Sequence, residues 1–284
     1  MEKRCDLHSH STCSDGTLKP AELVALAEKL GLSALALTDH NTTDGLKEFL
    51  EAGKNSTVIT VPGCEFTTEW HKKEVHIVGL FFREENWKEV DDFLELANLA
   101  KINSNEKLIK KLSEAGYEIT FEEVADLAGN DLFNRSHVAR VLMKKGYVET
   151  TTAAFNTLLK EGNGFYVPAK RITSAAAVRF IKTWGATAIV AHPLLNLTPE
   201  ELREFLPEMK EAGLDAMETE YTEFTPEMKK MAVSLAEEFS LNQSGGSDYH
   251  GSAKPWIELG RGRGNLFVPF SFYEDMRACS DYDE

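Results

Sequence analysis

A parallel α/β barrel interrupted by a small helical insertion is the fold class that this sequence predicts, and three observations point to it. Short apolar, β-branched segments alternate with amphipathic helical ones in the first third of the chain. The same rhythm returns in the last third. Between the two, over about 86–165, every segment reads as helix and no strand intervenes. With 284 residues, of which 42% are hydrophobic and 27% charged, the chain can bury a sizeable core as one large domain carrying an inserted subdomain.

The elements follow in order. The segment "DLHSH" (6–10) leads out of a short strand. "PAELVALAEKLG" (20–31) places Leu23, Leu26, Ala27 and Leu30 at helical spacing, with Pro20 in the first turn and Gly31 as the stop. "SALALTDH" (33–40) is a buried strand ending in polar residues, "LKEFLEAG" (46–53) a helix, and "TVITVPGCE" (57–65) a β-branched strand that ends in an acid. "EVHIVGLFF" (74–82) is a further strand. In the last third, helices over 174–185, 199–213 and 225–240 alternate with strands at "ATAIVAHP" (186–193), "LDAMETE" (214–220) and "LNQSGGSDYH" (241–250). The barrel is therefore expected from 1–85 and 166–284, with the helical insertion at 86–165.

Composition removes several function classes. No apolar run reaches the roughly 18–20 residues that span a bilayer, and the N-terminus "MEKRCDLHSH" lacks the apolar core of a secretory signal, so no membrane partner is expected. Cys5, Cys13, Cys64 and Cys279 form no paired motif and read as reduced thiols of a cytoplasmic protein. A formal net charge of −15 argues against binding long duplex nucleic acid, which needs a basic face. A small anionic substrate stays possible, because a local metal cluster can dominate the field inside a pocket.

Such a cluster is what the polar residues suggest. His8 and His10, Asp39 and His40, Glu65, His76, His192, and Asp248 and His250 stand in short clusters, most of them where a strand is expected to end. Positions i and i+2 of a strand share a face. Asp6, His8 and His10 would thus point together. In a parallel barrel the strand C-termini converge on one mouth, where catalytic groups collect. One "AHP" or "TDH" alone reads as a buried histidine or a helix cap; the repetition points to a multi-metal site. Imidazole and carboxylate donors without thiolate suit Zn, Mn or Fe.

At these residues the sequence resembles a known family. "DLHSH", "SDG", "TDH", "AHP" and "GSDYH" resemble, in order, the motifs of the PHP (polymerase and histidinol phosphatase) family, over about 1–80 and 165–255. "NRSHVAR" (134–140) and "GFYVP" (164–168) resemble its nucleotide and oligonucleotide phosphoesterases, among them the 3′,5′-nucleoside bisphosphate phosphatases. The resemblance implies a distorted seven-stranded (β/α)7 barrel and three divalent metal ions. Carried over by motif, His8, His10, Glu65 and Asp248 would hold one metal. Glu65 would bridge to a second, completed by His76 and His192. Asp15, His40 and His250 would hold the third. Asp15 stands where some relatives carry histidine, which favours manganese. Asp6 and Asp39 read as carboxylates that orient neighbouring imidazoles, or as caps.

The expected chemistry is hydrolysis of a phosphate mono- or diester by hydroxide generated between the metals, with Glu65, His192, Asp248 and His250 at the reacting centre. The enzyme would be a phosphatase or 5′-3′ exonuclease-like phosphoesterase acting on a nucleotide or short oligonucleotide. In the insertion, Arg135 and His137 would contact substrate phosphate from a lid. Lys170, Arg171, Arg261 and Arg263 are further basic candidates, while "GRGRGN" lacks the Lys-Ser/Thr ending of a P-loop. A histidinol-phosphate-type phosphatase, a metal-dependent amidohydrolase on a similar barrel and a metal-binding module without catalysis are the alternatives.

Overall fold

The computed structural model describes residues 3–129 and 133–282. They form two compact units, one of residues 1–91 and 172–284, the other of 92–171. The first unit is built on eight strands: β1 (Cys5–Asp6), β2 (Ala34–Leu37), β3 (Ile59–Trp70), β4 (Lys73–Leu80), β5 (Ile172–Thr173), β6 (Thr187–Val190), β7 (Ala216–Tyr221) and β8 (Asn242–Gly246). Their order is β1-β2-β3-β4-β6-β7-β8, with the short β5 paired to β3. The two ends of this path meet: Leu7 N donates to Gly245 O at 3.1 Å and Asp248 N to His8 O at 3.0 Å. The sheet is thus a nearly closed barrel.

One expectation needs correcting. The barrel is not parallel throughout, because β4 runs antiparallel to both β3 and β6. No helix separates β3 from β4; the chain reverses at His71 and Lys72, whose φ values of 47° and 67° are those of a tight hairpin turn. His71 serves that turn and stacks on Trp70 with ring centroids 4.0 Å apart.

Alternation along each strand divides the apolar core. In β2, Ala34 and Ala36 join the interior cluster with Cys5, Leu7, Val61 and Ile189. Leu35 and Leu37 face outward into a cluster with Leu23, Val24 and Phe49, supplied by the helices Pro20–Lys29 and Leu46–Gly53. The first of these helices buries Pro20, Leu23, Val24 and Ala27, and Leu26 and Leu30 pack half-buried against the same cluster. Small residues inside and large ones outside suit a narrow barrel, where interior side chains meet near the axis.

The second unit contains the helices Phe121–Ala128, Arg135–Lys144 and Thr151–Thr157, and most of the long helix Trp87–Glu114. Its own core gathers Leu108, Leu112, Val124, Phe133, Val138 and Leu142. Thr120 caps the helix Phe121–Ala128 by accepting from Glu123 N at 3.2 Å, while the Glu123 carboxylate accepts from Thr120 N at 3.1 Å.

Candidate metal centre

Six of the eight strands deliver a polar side chain to one end of the barrel. His8 and His10 follow β1, His40 follows β2, Glu65 lies within β3, His76 within β4, His192 follows β6, and Asp248 and His250 follow β8. Glu218, in β7, brings a seventh strand into the arrangement. The reversal of β4 is what admits His76. Register pairs Glu65 with Val78 and Thr67 with His76, so Glu65 and His76 are diagonal neighbours on one face, with Oε1 and Nδ1 2.8 Å apart.

Glu65 is the centre. Its Oε1 lies 2.8 Å from His76 Nδ1 and 3.1 Å from His192 Nε2, and its Oε2 lies 3.3 Å from His8 Nε2, 3.3 Å from His10 Nε2 and 2.9 Å from His40 Nδ1. Around Asp15, Oδ1 lies 3.1 Å from His250 Nε2, 3.8 Å from His40 Nε2 and 4.0 Å from His10 Nδ1. Asp248 Oδ1 lies 3.2 Å from His10 Nε2.

These residues fit metal ions better than they fit one another. Donor atoms converge within 4.8 Å in three overlapping sets: His10, Asp15, His40 and His250; His8, His10 and Glu65; and His40, Glu65 and His76. Glu65 Oε2, His40 Nδ1 and His192 Nδ1 are buried without a hydrogen bond, a costly state for polar atoms unless another partner binds them. His8 Nε2 and His10 Nε2 face each other at 3.1 Å, and at most one of them can be a donor there without repulsion. The sets also redistribute the expected ligands. His10 and His40 each stand between two groups, and Asp248 and His192 join through their contacts with His10 and Glu65.

Tautomers are fixed from outside the cluster. His8 Nδ1 lies 2.8 Å from Glu218 Oε1, and His250 Nδ1 lies 2.9 Å from the carbonyl of Asp248, so each ring presents Nε2 to the centre. Glu218, only 2% exposed, also accepts from His192 N through Oε2 at 2.6 Å. That contact holds His192 at φ 30° and ψ 50°, a left-handed conformation that costs a non-glycine residue about 1–3 kcal/mol. Asp248, at φ 54°, is left-handed too. Two metal-ligand candidates in such backbone are a mark of a functional site. Sequence reasoning missed Glu218.

Asp6 and Asp39 act on backbone and serine hydroxyls. Asp6 accepts from Ser247 N (2.9 Å), Ser247 Oγ (2.5 Å), Gly260 N (2.7 Å) and His8 N (3.3 Å). Asp39 accepts from Ser11 N (2.8 Å) and from the hydroxyls of Ser11 and Ser14, both at 2.5 Å. Of the two roles expected for these carboxylates, the geometry is that of caps: they tie down the loops that carry His8 and His10, and neither contacts a ring. Glycine gives the close approach that the loops need. A Cβ on Gly246 would sit 2.3 Å from His8 Cβ, which accounts for the "GG" before "SDYH".

The field is strongly divided. Burial and the neighbouring His250 and His40 push His10 down to about 3, so it stays neutral across the physiological range. Burial would likewise lower His76, but Glu65 outweighs it and raises that ring to about 10. Burial works against the charge on Glu65, Asp15 and Asp248 as well; the surrounding histidines, and Lys254 beside Asp248, hold all three well below the usual carboxylate range. These carboxylates are anionic and hold protons nearby on imidazole, which a metal would displace on binding.

In the second unit, Arg135 and His137 begin the helix Arg135–Lys144. The Arg135 guanidinium lies 4.2 Å from the Tyr166 ring centroid and donates to Leu159 O at 3.2 Å. His137 is 2% exposed, and its Nδ1 accepts from Asn134 N at 3.1 Å. Arg263 is paired with Glu223.

The chain is 35% identical over 262 residues to a 5′-3′ exoribonuclease of Haemophilus influenzae, covering 92% of this chain and 94% of that one. It is 28% identical over 257 residues to a 3′,5′-nucleoside bisphosphate phosphatase of Chromobacterium violaceum, covering 90% of each. Among solved structures, a Bifidobacterium adolescentis protein assigned as a metal-dependent phosphoesterase superposes with a TM-score of 0.86 at 25% identity, over 98% of this chain and 96% of that one. The PHP domain profile matches residues 6–169, more than half of the sequence. With its barrel, its ring of histidines and carboxylates and these relatives, the chain belongs to the PHP domain family.

Proposed function

We propose that this protein is a metal-dependent phosphoesterase that hydrolyses a terminal phosphate ester of a nucleotide or short oligonucleotide, using three divalent ions. The observation that carries this reading is Glu65, a buried carboxylate with five imidazoles around its two oxygens and one oxygen left without a hydrogen bond. His8, His10, Glu65 and Asp248 would hold one ion, Glu65, His76 and His192 a second, and Asp15, His40 and His250 the third, with His10 and His40 close enough to be shared.

When bound, such ions supply Lewis acidity towards phosphoryl oxygens and activate water as the nucleophile. The chain's own residues prepare for this. Glu218 and the Asp248 carbonyl turn His8 and His250 so that one nitrogen of each faces inward, and Glu65 places its two oxygens in different ligand groups. Manganese, zinc and iron all match the donor set. The relatives named above are a 5′-3′ exoribonuclease and a 3′,5′-nucleoside bisphosphate phosphatase, and a nucleotide phosphoester is the substrate class that both names share. Arg135 and His137 are proposed as substrate contacts on the strength of their motif. Arg135→Ala should then lower kcat/KM by about 10–150-fold, the value of one charge-assisted hydrogen bond, with metal content unchanged.

Among the described residues no helix is long and apolar enough to cross a membrane. All four cysteines are free thiols, which supports a reducing, cytoplasmic setting. The test is phosphate or nucleotide release from 5′-, 3′- and 3′,5′-phosphorylated nucleotides and a 5′-phosphorylated oligoribonucleotide. Histidinol phosphate and an amide panel serve as controls. Turnover of nucleotides above the controls supports the reading, and preference for histidinol phosphate or an amide overturns it.

A further inference from the structure

Asp248 differs from Glu65 in how its two oxygens are used. Oδ1 faces the imidazoles, 3.2 Å from His10 Nε2, 3.4 Å from His250 Nδ1 and 3.7 Å from His8 Nε2. Oδ2 faces away and is saturated by two donors, the Tyr221 hydroxyl and the Lys254 ammonium, each at 2.8 Å. Tyr221 is 3% exposed at the end of β7, so its hydroxyl is held by packing. Lys254 sits on a loop pinned by backbone bonds from Lys254 N to Gly251 O (3.2 Å) and from Ile257 N to Lys254 O (3.0 Å). Its side chain is 35% exposed, against 7% for Asp248. The carboxylate is therefore clamped, with a single oxygen left to ligate.

The two donors are not equivalent. A tyrosine hydroxyl is neutral, so it can only orient the carboxylate and satisfy Oδ2. A lysine ammonium also places a full positive charge one carboxylate away from where a divalent cation would bind. It repels that cation and draws charge from the ligand. Between charges in a largely buried site this repulsion exceeds what one oriented hydrogen bond returns, even after partial screening by solvent.

We propose that Tyr221 and Lys254 are positioning residues that act through Asp248 with opposite signs on metal affinity. Tyr221 strengthens the metal position that Asp248 lines by holding Oδ1 inward, and Lys254 weakens it by its charge. The position is thereby ordered yet not saturated with negative charge, and a metal there stays electron-poor towards a phosphoryl oxygen. The inference rests on the metal-centre reading above and concerns how that centre is tuned.

The test is equilibrium titration of metal-stripped protein with manganese against a competing chelator. The binding class that Asp248→Asn abolishes identifies the position. Tyr221→Phe should weaken that class by about 10–100-fold, the usual effect of losing an orienting partner. Lys254→Gln, which keeps a donor but loses the charge, should tighten it by about tenfold. Lys254→Arg keeps the charge and should stay near wild type. Thermal melts followed by circular dichroism establish that each variant is folded; if Lys254→Gln is not, Lys254→Met is read by the same criterion. Tightening on charge removal, with Tyr221→Phe weakened, supports the proposal. Weakening or no change in the neutral Lys254 variant overturns it, because Lys254 would then be one more donor. Wild-type protein that binds no manganese, zinc or iron overturns the metal-centre reading itself.

Discussion

The two ends of the same strands follow opposite physical rules. The apolar end of β2 packs Ala34 and Ala36 against Cys5, Leu7 and Val61, all fully or almost fully buried, and needs nothing beyond the chain itself. A few residues on, the same stretch carries Asp39 and His40 into a region where carboxylates crowd imidazoles and buried polar atoms such as Glu65 Oε2 and His192 Nδ1 lack hydrogen bonds. The apolar end is self-sufficient. The polar end is stable only because the rest of the barrel imposes it, at the expense of two left-handed residues, His192 and Asp248, and several desolvated charges. A site that is poorly satisfied by its own protein has been shaped for something else to complete it.

That contrast can be broken by experiment, and the strongest test is at its centre. Glu65→Gln removes the one charge that serves two ligand groups. Activity should fall by more than about 100-fold, beyond the range typical of orienting partners, and metal content should drop with it in mass-spectrometric analysis. In the apolar cluster on the outer face of β2, Phe49→Ala should destabilise the protein by about 3–5 kcal/mol in denaturant unfolding, with the folded fraction retaining its metal. If the metal is lost in proportion, the two ends are not as separable as the contrast holds.

Chelation should act in the reverse direction, on stability through the polar end. An ion present at 100 times its Kd adds about 2.7 kcal/mol to a fold that alone can bind it, so stripping it should lower the Tm by several degrees in a calorimetric scan. Smaller again is Glu218→Gln, which keeps the shape but weakens the hold on His8 Nδ1 and His192 N. It should cost about 10–100-fold in kcat/KM or metal affinity. Asp6→Asn should cost less activity than Glu218→Gln and show mainly as lost stability, since Asp6 binds backbone and Ser247 and no ring.

Most of the polar end was legible in the sequence because its residues follow strand signals. "TDH" and "GSDYH" each end a readable strand, and barrel geometry brings strand ends together. What stayed hidden was decided by neighbours in space. The direction of β4 is not written in "EVHIVGLFF", whose apolar run suits a parallel or an antiparallel strand equally. Glu218 and Glu220 sit two apart in "AMETEY" and look alike, yet the β7–β8 register shifts between them. Glu218 turns inward to His8, and Glu220 pairs with Lys229 instead. No periodicity separates those two fates. Arg135 shows the opposite limit: its motif stands out, while its contacts with Tyr166 and the Leu159 carbonyl are ones that no spacing rule gives.

Reconstitution tests whether the histidine and carboxylate cluster is a metal centre that performs phosphoester hydrolysis. Protein stripped of metal is titrated with manganese, zinc or iron while bound metal and release of product from a nucleotide phosphoester are followed in the same samples. No turnover is expected in the stripped protein, and activity should rise with bound metal until the cluster is filled. Full activity in protein shown to be free of metal, or metal uptake that remains intact in Glu65→Gln, would contradict that assignment.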